Sequence, residues 1–268
     1  MKITTSPDGR VTYSFRQSWI GTALTCLERA RREAFEDLTS SDTDATIIGT
    51  AGHTAIEHAL IVLRDEKRRI PVAELTSTAL DAYAALAANP EVRWIQGDYA
   101  DGIAYLKTMM PAWHREVFPQ ITDQVLLEQH FDVPFYETDD YDVRLTGTID
   151  CLDLGTQTIW DWKHTGREMK QWEKQRYSVQ ATVYAHAAAQ VGILTYPVSF
   201  NFTNARKLKT EERCDVIRTQ RTGHHALFLA AQLDDLIALH RAGLKSWPRV
   251  DAHSLCSERW CPAFSACK

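Results

Sequence analysis

Hydrophobic positions recur at helical spacing through most of the first half of the chain. The stretch from Ser14 to Asp37 keeps this spacing without an interrupting proline, which predicts a helix that contains Cys26. A polar stretch, Thr39 to Thr46, breaks the pattern, and a second helix is predicted from Ile47 to Arg69. Residues Pro71 to Gln120 are rich in Ala and Leu and punctuated by prolines, which predicts several short inserted helices.

The period changes to that of β-strands in the second half. Alternating or continuous runs of β-branched and aromatic residues predict a meander of three strands, over Val125–Phe135, Val143–Leu154 and Thr158–Lys163. The remaining predicted elements are a helix over Glu168–Val191, strands over Pro197–Thr203 and Glu211–Thr219, and a helix from about His224 to Ala242. This order of elements predicts an α/β fold with a central mixed sheet flanked by helices.

Composition limits the class of protein. The 268 residues, 44% hydrophobic and 24% charged, are typical of a globular protein. No apolar run approaches the roughly 20 residues of a membrane span, and the N-terminus lacks a signal-peptide pattern, so a cytoplasmic protein is expected. With a net charge of −5, nucleic-acid binding would depend on local basic clusters. The candidate clusters are Arg29, Arg31 and Arg32, then Lys67, Arg68 and Arg69, then Arg206, Lys207 and Lys209.

Acidic residues stand at matching places on two neighbouring predicted strands. Asp150 ends one strand run, and Asp161 and Lys163 share one face of the next strand. Two adjacent carboxylates repel each other unless a cation lies between them, and Mg²⁺ prefers such oxygen ligands. A lysine beside the metal could polarise a phosphate or the attacking water, whose pKa the metal lowers. The pattern predicts a hydrolytic metal site, with Glu128 as a minor candidate for an auxiliary acid; the alternative is strand-end acids and a solvated lysine.

Four short motifs surround these residues in a fixed order. They are Gly49-Thr50-Ala51-Gly52-His53, Gly147-Thr148-Ile149-Asp150, Asp161-Trp162-Lys163 and Gln180-Ala181-Thr182-Val183-Tyr184. The ordered set resembles the RecB-like branch of the PD-(D/E)xK nucleases over nearly the whole chain. The resemblance implies a restriction-endonuclease-like fold.

The resemblance also implies roles for individual residues. His53, Asp150 and Asp161 would bind metal, and the carbonyl of Trp162 would be a further ligand. Lys163 would assist the water and the phosphate. The remaining pair, Gln180 and Tyr184, lies one helical turn apart and would position the DNA strand near the site.

Half of the six cysteines crowd the end of the chain. Cys256, Cys261 and Cys267 lie in a segment too short to build its own core. The CRISPR-associated RecB-like exonucleases and AddB-type helicase-nucleases, which the chain resembles, join a C-terminal cysteine set to an N-terminal cysteine through a 4Fe-4S cluster. The resemblance implies the same clamp here, with Cys26 as fourth ligand, although thiolates also suit a zinc site. Cys151 and Cys214 are predicted to be buried strand thiols.

The resemblance implies a Mg²⁺- or Mn²⁺-dependent exonuclease that degrades DNA from single-stranded ends, in recombination, repair or CRISPR-type DNA processing. Residues 1–268 are predicted to form one nuclease domain, with N-terminal helices at 14–70, a helical insert at 71–120, the nuclease core at 121–245 and the cysteine tail at 246–268. The alternatives are an endonuclease or flap-cutting nuclease of the same fold, and a non-catalytic DNA-binding partner in a recombination or CRISPR adaptation complex.

Overall fold

A seven-stranded mixed sheet forms the centre of the part of the chain that the computed structural model describes, residues 1–36, 38, 42–172, 177–250, 256–258 and 261–267. The strands are β1 (Lys2–Thr5), β2 (Val11–Arg16), β3 (Val125–Glu137), β4 (Tyr141–Asp153), β5 (Thr158–Lys163), β6 (Val198–Ala205) and β7 (Cys214–Arg221). The α-helices are α1 (Gln17–Thr25), α2 (Leu27–Phe35), α3 (Asp44–Glu66), α4 (Val72–Ala87), α5 (Tyr99–Glu116), α6 (Ser178–Gln190), α7 (Gly223–Arg241) and α8 (Phe264–Cys267).

The strand order is β1-β2-β4-β5-β6-β7, and β3 pairs with the other edge of β4. Strands β3, β4 and β5 pair antiparallel in sequence, which confirms the predicted meander. Strands β2 and β4 are parallel, as are β5 and β6, so the sheet is mixed as predicted. Helices α1, α6 and α7 share one hydrophobic core with the sheet, and α3, α4 and α5 share a second.

Strand β4 has a gap along one edge. Pairing with β2 ends at Arg16 and Thr146, and pairing with β5 begins only at Cys151 and Trp160. Because β3 occupies the opposite edge, residues 147–150 of β4 face this gap without a neighbouring strand. The described residues thus leave an opening in the middle of the sheet, next to Asp150.

The prediction of one N-terminal helix from Ser14 to Asp37 is wrong in part. Its first residues belong to β2, which forms a hairpin with β1 and pairs with β4, and Asp37 lies outside the described residues. The rest divides into α1 and α2, because Cys26 between them has extended backbone angles (φ −155°, ψ 109°). Cys26 therefore lies at a break between two helices and not within one.

Two further helical predictions differ from the structure. The segment after Pro71 forms two long helices, α4 and α5, and Pro111 lies inside α5 instead of ending a helix. The helix predicted from Glu168 begins only at Ser178; before it, the backbone N–H of Met169 donates to Asp215, and residues 173–176 lie outside the described part of the chain.

Helix α3 carries the first candidate site residue, His53, and begins at a capping box in which Thr43 and Thr46 exchange hydrogen bonds. Within the described residues it is the helix whose length and mean hydropathy of 1.2 would suit a membrane span. However, 56% of that apolar window is buried, and Ala51, Ala55 and Ala59 pack in the second core. This burial is typical of a helix that packs in a protein core.

Candidate active site

The gap beside β4 is where the sequence-predicted residues meet. A chain of contacts links His53 of α3 to Asp150 of β4, Asp150 to the backbone of β5, and β5 to α6. The residues joined in this way are His53, Asp150, Asp161, Trp162, Lys163, Gln180 and Tyr184. The ordered motifs of the sequence therefore converge at one place in the fold.

His53 is held by its contact with the backbone of Trp162. Its Nε2 lies 3.0 Å from the Trp162 carbonyl oxygen, so Nε2–H donates to that oxygen and leaves Nδ1 without its proton. The free Nδ1 lies 3.7 Å from Oδ2 of Asp150. Burial lowers the pKa of His53, which favours the neutral ring that metal coordination requires. The Trp162 carbonyl oxygen, predicted as a further metal ligand, accepts this hydrogen bond from His53.

Gly52 and His164 set the position of the His53 ring. The His53 and His164 rings pack edge to face, with their centroids 5.5 Å apart. A Cβ atom at position 52 would lie 2.8 Å from Nε2 of His164, so only glycine admits this pair of rings. Sequence reasoning missed His164, although it directly follows Lys163.

Glu128 joins His53 and Asp150 in a group that could hold a metal ion. One potential ligand atom from each lies within 4.8 Å of the other two. Glu128 has a left-handed backbone, φ 45°, which interrupts the β3 ladder opposite Asp150. The sequence showed Glu128 only as a minor candidate, because nothing in the local pattern signals this bend.

Asp161 is turned toward other partners. Its side chain is only 1% exposed, its Oδ2 lies 2.7 Å from Nζ of Lys163, and its Oδ1 accepts a hydrogen bond from Nε2 of Gln180. The same amide donates to the hydroxyl of Tyr184 at 3.2 Å. Helix α6 therefore orients Asp161 through Gln180, whereas the role predicted for Gln180 and Tyr184 was to position the DNA strand.

The buried carboxylates leave the site in need of a cation. Burial raises the pKa of Asp161 to about 6, and the nearby charge of Asp150 adds to the rise. Burial likewise raises the pKa of Asp150. Although Glu128 as a whole residue is exposed, partial burial of its carboxyl and the charges of Asp150 and other acids raise its pKa to about 7. An added divalent cation would favour all three ionised forms.

Lys163 supplies positive charge at the same place. Burial opposes that charge, but the attraction of Asp161 and Asp150 outweighs it and raises the pKa of Lys163 above its ordinary value. The ammonium group therefore stays charged at neutral pH. A protonated lysine can donate hydrogen bonds to a phosphate or a water but cannot act as a base there.

Metal affinity should rise with pH, because the metal-binding forms are the ionised carboxylates. The folded-state pKa of Asp161, about 6, lies above the ordinary value. The protonated carboxyl of Asp161 therefore makes its full contribution to the stability of the metal-free fold below about pH 4. This contribution is lost as pH rises through about 6. We expect the apparent Kd for Mn²⁺ to fall about tenfold per pH unit for each carboxyl that must lose its proton, and to level off above pH 7, where Glu128 is also ionised. Calorimetric titrations at several pH values check this; a pH-independent Kd would contradict it.

Members of the predicted basic clusters pair with neighbouring acids. Arg31 and Arg32 both bind the fully buried Glu28. Arg206 binds Asp215, with Nη2 2.6 Å from Oδ1, and Lys209 pairs with Asp101 at 2.5 Å. Arg31, Arg32, Arg206 and Lys209 are therefore engaged in ion pairs within the protein.

The C-terminal tail packs against the helix that follows Cys26. Nη2 of Arg32 in α2 donates to the carbonyl of Ala266 at 3.0 Å, and the backbone N–H of Trp247 donates to Glu28 at 2.7 Å. The four cysteines of the predicted clamp are all described, but no three of their sulfurs lie within 4.8 Å of one another. Residues 251–255, 259, 260 and 268 of the tail lie outside the described part of the chain.

Known proteins agree with this fold. The family model of the PD-(D/E)XK nuclease superfamily matches residues 16–268, and the chain belongs to that superfamily. The crystal structure of a proposed exonuclease from Eubacterium rectale is similar, with a TM-score of 0.56 over 90% of this chain and 86% of that one. At 14% identity this likeness concerns the fold. No match was found among curated proteins.

Proposed function

We propose that the protein is a divalent-metal-dependent DNA exonuclease of the RecB-like branch of its superfamily. The observation that carries the proposal is the meeting of His53, Glu128 and Asp150 in the β4 gap, beside the buried pair of Asp161 and Lys163. Two separate elements supply carboxylates whose ionisation burial disfavours, and a cation between them offsets that cost. Oxygen ligands of this kind suit Mg²⁺ or Mn²⁺.

The residues present fit such a metal ion. Nδ1 of His53 and the carboxylates of Asp150, Asp161 and Glu128 would hold it, with Glu128 an addition to the set expected from sequence. The metal would polarise the scissile phosphate and lower the pKa of a bound water. Lys163 would donate hydrogen bonds to the phosphate or to that water. Gln180, hydrogen-bonded to Tyr184, would keep the Asp161 carboxylate oriented.

The finer assignments rest on resemblance. The ordered motifs resemble those of RecB-like exonucleases, and the similar Eubacterium rectale protein is itself a proposed exonuclease. We therefore propose single-stranded DNA ends as the substrate and recombination, repair or CRISPR-type processing as the setting. The whole chain, residues 1–268, would act as one nuclease domain in the cytoplasm, alone or with recombination or CRISPR adaptation proteins.

A digestion assay tests the activity directly. End-labelled single-stranded and double-stranded DNA and circular single-stranded DNA are incubated with the protein and Mg²⁺ or Mn²⁺. We expect short products from linear single strands and no cleavage of circles. Cleavage of circles would instead identify an endonuclease, and DNA binding without products in either metal would identify a non-catalytic partner.

We also propose that Cys26, Cys256, Cys261 and Cys267 hold a 4Fe-4S cluster. The contacts between α2 and the tail support this, because they bring the C-terminal segment to the helix that begins beside Cys26. A cubane cluster separates its thiolates at its corners, so direct contact between the sulfurs is not required. Zinc, the other ion that suits four thiolates, is the alternative.

A further inference from the structure

An open groove leads away from the β4 gap toward the N-terminal hairpin. Its first part, a cavity of about 370 Å³, lies between the end of β2 and Tyr184. Its second part, about 660 Å³, continues over β1 and β2. Both parts are lined by Arg16, His130 and Thr146, so they form one continuous groove, called here the β4 groove.

We propose that the β4 groove binds the sugar–phosphate backbone of the substrate strand next to the scissile position. This inference rests on the proposed function, since it takes the substrate to be DNA. It adds the path of the strand and the residues that contact it, none of which belongs to the predicted metal site.

The β4 groove is continuous with the catalytic centre. Tyr184 lines its inner end, and the Tyr184 hydroxyl accepts a hydrogen bond from Gln180, whose amide also donates to Asp161. Gly147 lies at this junction, where a Cβ atom would stand 3.6 Å from the Tyr184 ring. A strand with its scissile phosphate at Asp161 would thus enter the groove with its next nucleotides.

The charges of the groove suit phosphate. Within the described residues, its first part has no acidic side chain, and Arg16 there is exposed without a hydrogen bond or ion pair of its side chain. In the second part the one acid among the described lining residues, Asp132, pairs with Arg144 at 2.6 Å. Arg16 and the exposed Lys2 therefore keep their positive charges available, which is notable in a chain of net charge −5.

The spacing of polar side chains suits an extended strand. Arg144, Thr146 and Thr148 project from one face of β4 at every second residue, a repeat of about 7 Å. This repeat is comparable with the spacing of successive phosphates along a stretched backbone. Arg16 stands beside Thr146 in the parallel register, and His130 stands beside Thr148. The groove therefore offers one hydroxyl or basic group at each step.

The test measures binding separately from cleavage. A fluorescent single-stranded thymidine oligonucleotide is titrated with the full chain by anisotropy at several salt concentrations, with Ca²⁺ replacing Mg²⁺. We expect Arg16→Ala to raise Kd several-fold and to reduce the slope of log affinity against log salt by about 0.7, as for one lost phosphate contact. Arg16→Lys should keep the slope. The control Arg93→Ala, at an exposed position outside the groove, should match the wild type.

The outcomes separate the two proposals. If Arg16→Ala keeps the wild-type Kd and salt slope while the wild type binds and cleaves DNA, the β4 groove is not the strand path and the proposed function stands. If Arg16→Ala weakens binding but the wild type releases no product, the groove stands and the nuclease proposal fails. A wild type that binds no DNA overturns both. Because Arg16 is exposed, the variant should fold, and its melting temperature checks this.

Discussion

Asp161→Asn should reduce the rate of DNA cleavage by at least about 10³-fold, the largest effect on activity that we expect. The substitution keeps the shape of the side chain and removes its charge. Asp161 is only 1% exposed, and Lys163 and Gln180 contact its two oxygens, so bulk water does not replace the lost carboxylate. The measurement is a single-turnover cleavage rate on end-labelled single-stranded DNA at saturating Mg²⁺.

The loss should come from chemistry and metal binding and not from unfolding. The amide of asparagine can still contact Gln180 and leaves the volume of the site unchanged. We expect the circular dichroism spectrum and oligonucleotide binding in Ca²⁺ to stay close to those of the wild type. Asp81→Asn, at an exposed position of α4, is the matched control and should cleave normally. Near-normal cleavage by Asp161→Asn would refute the assigned site.

Cys261→Ser should lose the brown colour, the iron and much of the folded yield of anaerobically purified protein. A serine hydroxyl does not replace a thiolate as an iron ligand, and the free energy of a structural metal site is part of the folding free energy. Within the described tail, Trp247 and Ala263 are buried, but α8, which ends at Cys267, is a single turn with no buried residue. Iron analysis, the visible absorption spectrum and the soluble yield give the readout.

Cys214→Ser provides the control for the cluster. Cys214 begins β7, and burial raises the pKa of its thiol to about 12, so it is an unreactive strand cysteine away from the proposed clamp. This variant should keep its iron and colour. If the wild-type protein is colourless and contains zinc, the four cysteines hold zinc and not an iron-sulfur cluster. If the wild-type protein is stable and contains neither metal, the proposed clamp is refuted.

The strands nearest the site could be predicted from sequence alone. Alternation in β3 and in the first part of β4 reflects two unlike sheet faces, and the run of buried residues in β5 reflects burial on both faces; both signals are local to the sequence. The order of the motifs predicted Asp150, Asp161 and Lys163 as site residues, and the structure brings these three residues close together. Helix α7 was predicted almost to its ends because helical spacing of apolar residues is likewise a local signal.

Elsewhere the predicted elements were wrong because contacts between distant parts of the chain decide the local structure. Strand β2 pairs with β4, which lies more than a hundred residues further along the chain. The helical spacing of the residues after β2 conceals the alternation within β2, so the strand was missed. Pro111 fits inside α5 because the surrounding helices hold that helix in place, whereas a local rule expects proline to end it. The late start of α6 likewise depends on contacts of Met169 with β7.

The sequence by itself determined the kinds of groups at the site and their order along the chain, because motif spacing and strand period are local properties. The tertiary structure alone decided that β2 and β5 leave part of the β4 edge open, since only the register of distant strands creates that gap. It also brought Glu128 to His53 and Asp150 through one left-handed residue, and it placed Arg16 at the mouth of a groove beside Tyr184. These features depend on which strands meet, and no local pattern encodes that.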